Sequence, residues 1–344
     1  MTTTNALEDA ALGAPDTGKS PSRARGRKLE LLEAWALPLI TLLIAIFFSL
    51  YPSTSSTFPT TQNLQTLLAN QSVIAIIALA ALVPLVLNQF DLSVGATLGL
   101  SSVFAAAAMS NGAAIWTGVL IAVAIGLGVG LVNGFVITRT RVNAVIVTLG
   151  TAIVIGGIMT QKTKGLSIAE GIPQALTNFG SGTLLGVPKP ALMLALVALL
   201  LYYVLEQTPF GRYLYSMGSN EEAARLVGLN TRRLLLMSFV IAGLLAGIAG
   251  ILQLSRSGSA SAQIGENFTL PALAAAFLSA AAIKPGRFNV WGTLVAVLFL
   301  AVLNSGLNLA GAETYVNDYV NGVALVGGVA LAVLLGRQRS GEAG

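Results

Sequence analysis

Ten apolar segments, most of them close to the length of a membrane span, divide this chain and leave little room for any other fold. They run at approximately 35–51, 65–88, 94–110, 113–137, 142–161, 190–206, 234–254, 270–283, 291–310 and 318–336. A helix needs about 20 apolar residues to cross the hydrocarbon of a bilayer. Inside lipid every backbone N–H and C=O must be satisfied within the protein, which selects helices. The expected fold class is therefore all-α integral membrane. The third and eighth segments are short, and the eighth is expected to be tilted, broken or partly re-entrant, buried in protein rather than crossing alone.

Composition agrees where it matters. Only 10% of residues are charged and 55% are hydrophobic, whereas soluble domains carry about 25% charged residues. There is no cysteine and no histidine. That excludes disulfides, thiolate chemistry, histidine bases and nearly all transition-metal sites. No catalytic and no metal-ligating residue is expected. The net charge of +5 reads as membrane topology and not as nucleic-acid binding, because the basic residues are scattered at helix ends.

Counting those residues gives the orientation. Residues 1–34 are polar, with Arg23, Arg25, Arg27 and Lys28 just before the first span, and read as a mostly disordered cytoplasmic tail. With the N-terminus inside, the cytoplasmic segments are 1–34, 89–93, 138–141, 207–233, 284–290 and 337–344. They hold fifteen of the nineteen Lys and Arg residues; only Lys162, Lys164, Lys189 and Arg256 fall outside. Positive charge is retained on the cytoplasmic side during insertion, so both termini are expected there. The domain reading is a tail (1–34), a transmembrane domain (35–336) and a short C-terminal tail (337–344). Residues 162–189 read as an external loop.

One long polar island, Thr208–Arg233, interrupts the apolar chain on the cytoplasmic side. It carries start and stop signals for a two-turn helix. Ser219 suits the N-cap, and Glu222 three residues on completes a capping box. Glu221 and Glu222 lie in the first turn, where the helix dipole favours negative charge. Ala223, Ala224, Arg225 and Leu226 are helix formers, and Gly228 supplies a left-handed stop. So short a helix is not stable alone, so it docks on something. An ordinary structured loop is the alternative.

A weak internal repeat runs at one constant offset. It sets GLVNGF around Asn133 against AVLNSG around Asn304, and TAIVIGG with Gly156 and Gly157 against GVALVGG with Gly327 and Gly328. It aligns spans two to five with seven to ten. An offset of five spans inverts the second copy, a frequent transporter plan. Chance similarity in an Ala/Gly/Val/Leu-rich chain is the alternative.

Polar residues within the apolar chain are the candidates for a solute path: Asn88, Asp91, Ser93, Asn133, Asn304 and Asn308. Asp91 and Ser93 precede an apolar run and read either as helix caps or as a half-helix terminus lining a pathway. The asparagines read either as inter-helix hydrogen bonds or as a lining suited to a neutral polyhydroxylated solute. Ion-driven carriers normally need several buried acids or histidines, which are scarce here. An ion-coupled secondary transporter or a passive channel are the rival readings. No GxxxxGK[ST] phosphate loop is present, so any nucleotide energy comes from another chain. GLGVGLVNG (126–134) lies inside a span and reads as helix-packing glycine.

The chain resembles the membrane permease subunit of bacterial sugar ABC importers of the ribose, xylose and galactose group, over about residues 60–336. The strings that carry the resemblance are DLSVGATLGLSS (91–102), GLVNGFVITRTRVNAVIVTLGT (130–151), TPFGRYLYSMGSNEEAARLVGLN (208–230), IAGLLAGIAGIL (241–252) and GRFNVWGTLVAVLFLAVLNSGLNLAG (286–311). The resemblance implies a non-enzymatic permease in the bacterial inner membrane, forming a path for a neutral sugar. It implies separate ABC ATPase subunits that hold ATP and Mg, with no cofactor in this chain, and a periplasmic or lipid-anchored sugar-binding protein. A second permease copy or homologue completes the path. By the same resemblance Asn220–Gly228 is the coupling helix against the ATPase, with Ser219 beside it and Glu221, Glu222 and Arg225 as polar contacts. Two departures bear on the solute: Asn88, Gln89 and Phe90 replace the family's usual two glycines and isoleucine, and AFLSAAAIKPGRF replaces a glycine-rich stretch.

Overall fold

The computed structural model describes the backbone of residues 23–340 and the side chains of residues 33–334. Most of the tail expected at 1–34, and residues 341–344, lie outside the described residues. The described chain is helical apart from a small two-stranded hairpin. The helices are α1 (Arg23–Leu50), α2 (Thr61–Leu85), α3 (Val94–Ser110), α4 (Ile115–Thr140), α5 (Ala144–Thr163), α6 (Gln174–Ser181), α7 (Lys189–Tyr202), α8 (Pro209–Ser219), α9 (Glu221–Leu226), α10 (Thr231–Ser257), α11 (Glu266–Leu278), α12 (Val290–Leu309) and α13 (Tyr315–Ser340). Strands β1 (Thr183–Leu184) and β2 (Val187–Pro188) pair antiparallel between α6 and α7.

Eight of the helices are long and apolar enough to cross a membrane, and α3 is a shorter apolar helix. The eighth segment expected at 270–283 is the short α11 with a 3-10 turn, Ser279–Ala281, after it. Helix starts follow local chemistry. The Thr60 side chain caps α2, Asn143 caps α5, Asn230 caps α10 and Asn289 caps α12, each accepting a backbone N–H of the first turn.

Helix α2 is the central post. Every residue from Ala75 to Leu87 is buried, as expected for a helix apolar all round, and α7, α10, α11 and α12 surround it. Lipid supplies no hydrophobic drive between helices, so close packing must hold them. The most extensive case is α4 on α10. A methyl on Gly126 would run into the Gly243 carbonyl, and one on Gly130 into the Phe239 carbonyl. The glycine-rich string of α4 is helix packing.

The repeat maps α2, α3, α4 and α5 onto α10, α11, α12 and α13, and the packing follows it. Helix α3 lies on α4, α5 and α10; α11 lies on α12, α13 and α2. Arg256, near the end of α10, reaches Asn70 in the first half of α2, so the two equivalent helices run antiparallel. The second copy is inverted.

Contacts also sort by end. At one end Ile283 N–H donates to the Ala34 carbonyl at 3.0 Å and Asn88 Nδ2 donates to the Gly218 carbonyl at 2.7 Å. At the other, Gln65 Nε2 donates to the Gly186 carbonyl at 2.8 Å and Ile168 bridges Ala260. SIAEGIP, in the loop between α5 and α7, forms this bridge and a turn; the loop's helix, α6, follows it.

The connection into α11 does not stay at the protein surface. Gly265 lies against Gly95 and Gly99 of α3. Gly99 is eleven residues, about 16 Å at the helical rise, short of the Ser110 end of α3. Residues 259–265 thus turn back into the protein, and α11 begins at depth, with Glu266 exposed in the single chain.

Candidate coupling surface and solute path

The polar island folds as two helices and not one. Helix α7 ends in a wider π-helical turn, Tyr203–Gln207, before Thr208. The Thr208 side chain accepts Gly211 N–H and Pro209 takes the first helical position, where its missing N–H costs nothing. Helix α8 docks through Leu214, Met217 and Gly211, all buried. Gly218 packs on the Val86 backbone.

The cap of α9 is corrected by one residue. Ser219 is the last residue of α8, and Asn220 is the N-cap, its Oδ1 accepting Ala223 N–H at 2.9 Å. Glu222 therefore sits at the second helical position, not the third that a capping box requires. Both Ser and Asn suit a cap; the end of α8 takes the serine. The stop is as expected. Gly228 has φ +86°, its N–H bonds the Arg225 carbonyl at 3.1 Å and Leu229 N–H bonds the Ala224 carbonyl at 3.0 Å, the paired bonds of a Schellman ending.

Ala224 is buried and Leu229 packs on the main core, so these hold α9 to the body. Leu226 and Val227 point the other way, 85% and 77% exposed. Ser219, Asn220, Glu221, Glu222, Ala223, Arg225 and Gly228 are also exposed. Beside the helix, a groove of about 750 Å³ is lined by Glu221, Glu222, Arg225, Arg141, Asn143 and Arg232, among others. The surface is an apolar tip with acidic and basic flanks.

An ion cluster that the sequence reading did not find ties this surface to the connection between α11 and α12. Lys284 Nζ is 2.8 Å from Glu206 Oε2, and Arg287 Nη2 is 3.9 Å from the same oxygen. The Arg287 guanidinium lies 3.5 Å over the Tyr215 ring, and Tyr215 OH donates to the Phe288 carbonyl at 2.9 Å. Burial pushes the Tyr215 phenol up to about 12, with Arg287 opposing and Glu206 adding to the rise. The only sequence signal was an acid near the end of one span and two bases in KPGRF.

The six path candidates fall into three places. Asn88, exposed and with φ +56°, belongs with the candidate coupling surface through its bond to Gly218. Asp91, Ser93 and Asn133 come together, all buried. Asp91 Oδ1 accepts Ser93 N–H at 2.9 Å and Ser93 Oγ–H at 2.6 Å. Asn133 Nδ2 donates to Ser93 Oγ at 2.8 Å, and Thr151 Oγ1 donates to Asn133 Oδ1 at 2.7 Å. Thr148 Oγ1 accepts Leu92 N–H at 3.1 Å. The network locks the start of α3 to α4 and α5. Asn304 and Asn308 lie in a seam with α13: Asn304 Nδ2 is 3.5 Å from Asn321 Oδ1, and Asn317 Nδ2 donates to Asn308 Oδ1 at 3.1 Å. Asn317, Asn321 and Glu266 were not among the sequence candidates.

Comparison with known proteins gives a consistent answer. The family model described as the permease component of branched-chain amino acid transport systems matches residues 63–334. The chain is 34% identical over 315 residues to the ribose import permease protein of Escherichia coli K12, covering 91% of this chain and 96% of that protein. It is 35% identical over 279 residues to the ribose import permease protein of Bacillus subtilis 168, covering 81% and 85%. It is 29% identical over 300 residues to the D-allose transport system permease protein of Escherichia coli K12, covering 87% and 91%.

Proposed function

The chain belongs to the permease family of branched-chain amino acid transport systems, and on that footing we propose that it forms the path by which a neutral sugar or related polyhydroxylated solute enters a bacterial cell. It is the membrane-spanning permease subunit of an ABC importer. The proposal concerns its solute, partners and orientation.

The observation that carries the partner reading is α9. A capped helix held to the body by Ala224 and Leu229 presents Leu226 and Val227 outward, and an exposed apolar tip with charged flanks suits a groove on another protein. We assign that groove to an ABC ATPase subunit, which binds ATP and Mg; this chain hydrolyses nothing. We assign the α9 end, with both termini, to the cytoplasm, supported by the excess of Lys and Arg in the segments on that side. A periplasmic or lipid-anchored binding protein delivers the solute to the opposite end. A second copy or a homologous permease completes a central path on a two-fold axis.

Within the chain, Asn304 and Asn308 are assigned to the path, and Asp91, Ser93 and Asn133 hold the helices that shape it. ATP-driven closure of the ATPases pushes α9 and α8, and the ion cluster at Glu206 passes the movement to α11 and α12. The test is reconstitution with the ATPase and the binding protein in liposomes. Uptake of labelled D-ribose or D-allose should require ATP and the binding protein and be indifferent to sodium or proton gradients. Uptake driven by an ion gradient without ATP would refute the reading.

A further inference from the structure

We infer that Asn304, Asn308, Asn317 and Asn321 form a contact site for the hydroxyls of the transported solute, in the seam between α12 and α13 near the end opposite α9. The inference rests on the importer reading above and names where in the path the solute is recognised.

The two halves of the protein make the comparison internally. Asn133 of α4 is the equivalent of Asn304 of α12. The first uses its amide on both sides, donating to Ser93 and accepting from Thr151. At the same offset, Ser93 and Thr151 correspond to Ile264 and Gly322, which offer no hydroxyl. Asn321 stands instead where the first half has Gly150. So one half has a completed structural network, and the other has carboxamides that its own helices do not complete. Asn304 Oδ1 and Asn317 Oδ1 are shielded yet have no hydrogen-bond partner. The two bonds the quartet does make, at 3.5 and 3.1 Å, leave Nδ2 of Asn308 and Asn321 free of side-chain partners.

A seam built only to clamp two helices would consume these groups, because an unpaired amide away from water is costly. A seam facing lipid would not carry them. A carboxamide offers a donor and an acceptor side by side, which matches neighbouring hydroxyls that each donate and accept. It carries no charge, so it suits a neutral polyol better than an ion. Tyr315 and Tyr319, with rings 5.5 Å apart, project from the opposite side of α13 by helical spacing and fit an interfacial belt, outside the site.

The experiment uses the full chain assembled with its ATPase and binding protein in liposomes. Asn308→Ala, Asn321→Ala and the double variant are assayed for ATP-driven uptake of D-ribose and D-allose, for ATPase activity and for thermal stability. Asn308→Cys and Asn321→Cys, in a chain with no other cysteine, are probed with a membrane-impermeant maleimide. Uptake should fall about tenfold in the double variant, the effect of losing one or two hydrogen bonds, with ATPase activity and melting temperature near wild type. Both cysteines should be labelled, and labelling should block uptake. Uptake, ATPase activity and melting temperature falling together would show a helix clamp and overturn the proposal. So would unchanged uptake, or cysteines that no water-borne reagent reaches. If wild type imports neither sugar, the solute class of the proposed function fails, and the labelling arm still decides whether the seam faces water.

Discussion

Lys284 Nζ lies 2.8 Å from Glu206 Oε2, joining the end of α7 to the connection between α11 and α12, two segments remote from each other in the chain. Glu206 is mostly buried there and Lys284 partly exposed, so the pair contributes about 1 kcal/mol or less to stability. On the proposed coupling, its larger consequence is mechanical. Glu206→Gln should leave the protein folded in the membrane, lower its melting temperature only slightly, and reduce the sugar imported per ATP hydrolysed several-fold. An unchanged ratio of uptake to hydrolysis in that variant would separate the ion cluster from coupling.

The exposed tip of α9 makes a sharper prediction. Leu226→Ala with Val227→Ala removes side chains that project away from the body of this chain, so stability should change by less than about 0.5 kcal/mol. ATPase stimulation by the binding protein, and uptake, should fall at least tenfold. Reversing the charges at Glu222 and Arg225 should act in the same direction. Wild-type uptake in either variant would remove α9 from the ATPase contact.

The buried network at the start of α3 should behave in the opposite way. Thr151→Val strips Asn133 Oδ1 of its donor, at a cost of roughly 1–3 kcal/mol for a buried group left unsatisfied. Thermal melting should drop, while KM for the sugar stays at its wild-type value. A raised KM at unchanged melting temperature would instead place Asn133 in contact with the solute.

The Tyr215 phenol gives a pH signature. Its pKa is raised from 10 to about 12 in the fold, so folding favours the neutral form. The contribution is complete below pH 10 and is lost as pH rises towards 12. The comparison is with Tyr215→Phe, which keeps the ring under Arg287 and leaves every other titrating group in place. The wild type should lose melting temperature more steeply than that variant between pH 10 and 12; parallel curves would contradict the buried phenol.

Topology is open to labelling because the chain has no cysteine. A cysteine at the exposed position of Ser219 should react only with reagent on the cytoplasmic side, and one at Ser167 only with reagent on the other. Reaction from the reversed sides would invert the proposed orientation.

The membrane architecture was legible because lipid writes its demands into sequence as length, apolarity and basic flanks. The ten segments and the constant offset between the two repeats carried through to the packing of α2–α5 and α10–α13. What escaped was set by tertiary contact. The cap of α9 moved from Ser219 to Asn220 because α8, unseen in the polar island, ends on the serine. The inward turn before α11 was hidden because residues 257–265 have a loop's composition, and only the contact of Gly265 with Gly95 and Gly99 brings Glu266 to depth. Glu206, Lys284 and Arg287 come from separate parts of the chain, and no spacing rule joins them. Asn317 and Asn321 were passed over because spacing does not say which asparagines face each other across a seam.

The backbone contact of α4 with α10 sets the grain of any movement. With glycines at Gly126 and Gly130 meeting Gly243 and Gly247, no layer of side chains lies between the helices in which small shears can be absorbed. Each glycine notch is four residues from the next, so the pair can re-seat only in steps of about 6 Å or stay as it is. The α4–α10 pair, which joins the two repeats, is then a fixed joint, and on the proposed coupling any movement driven from the α9 end falls to α11, α12 and α13.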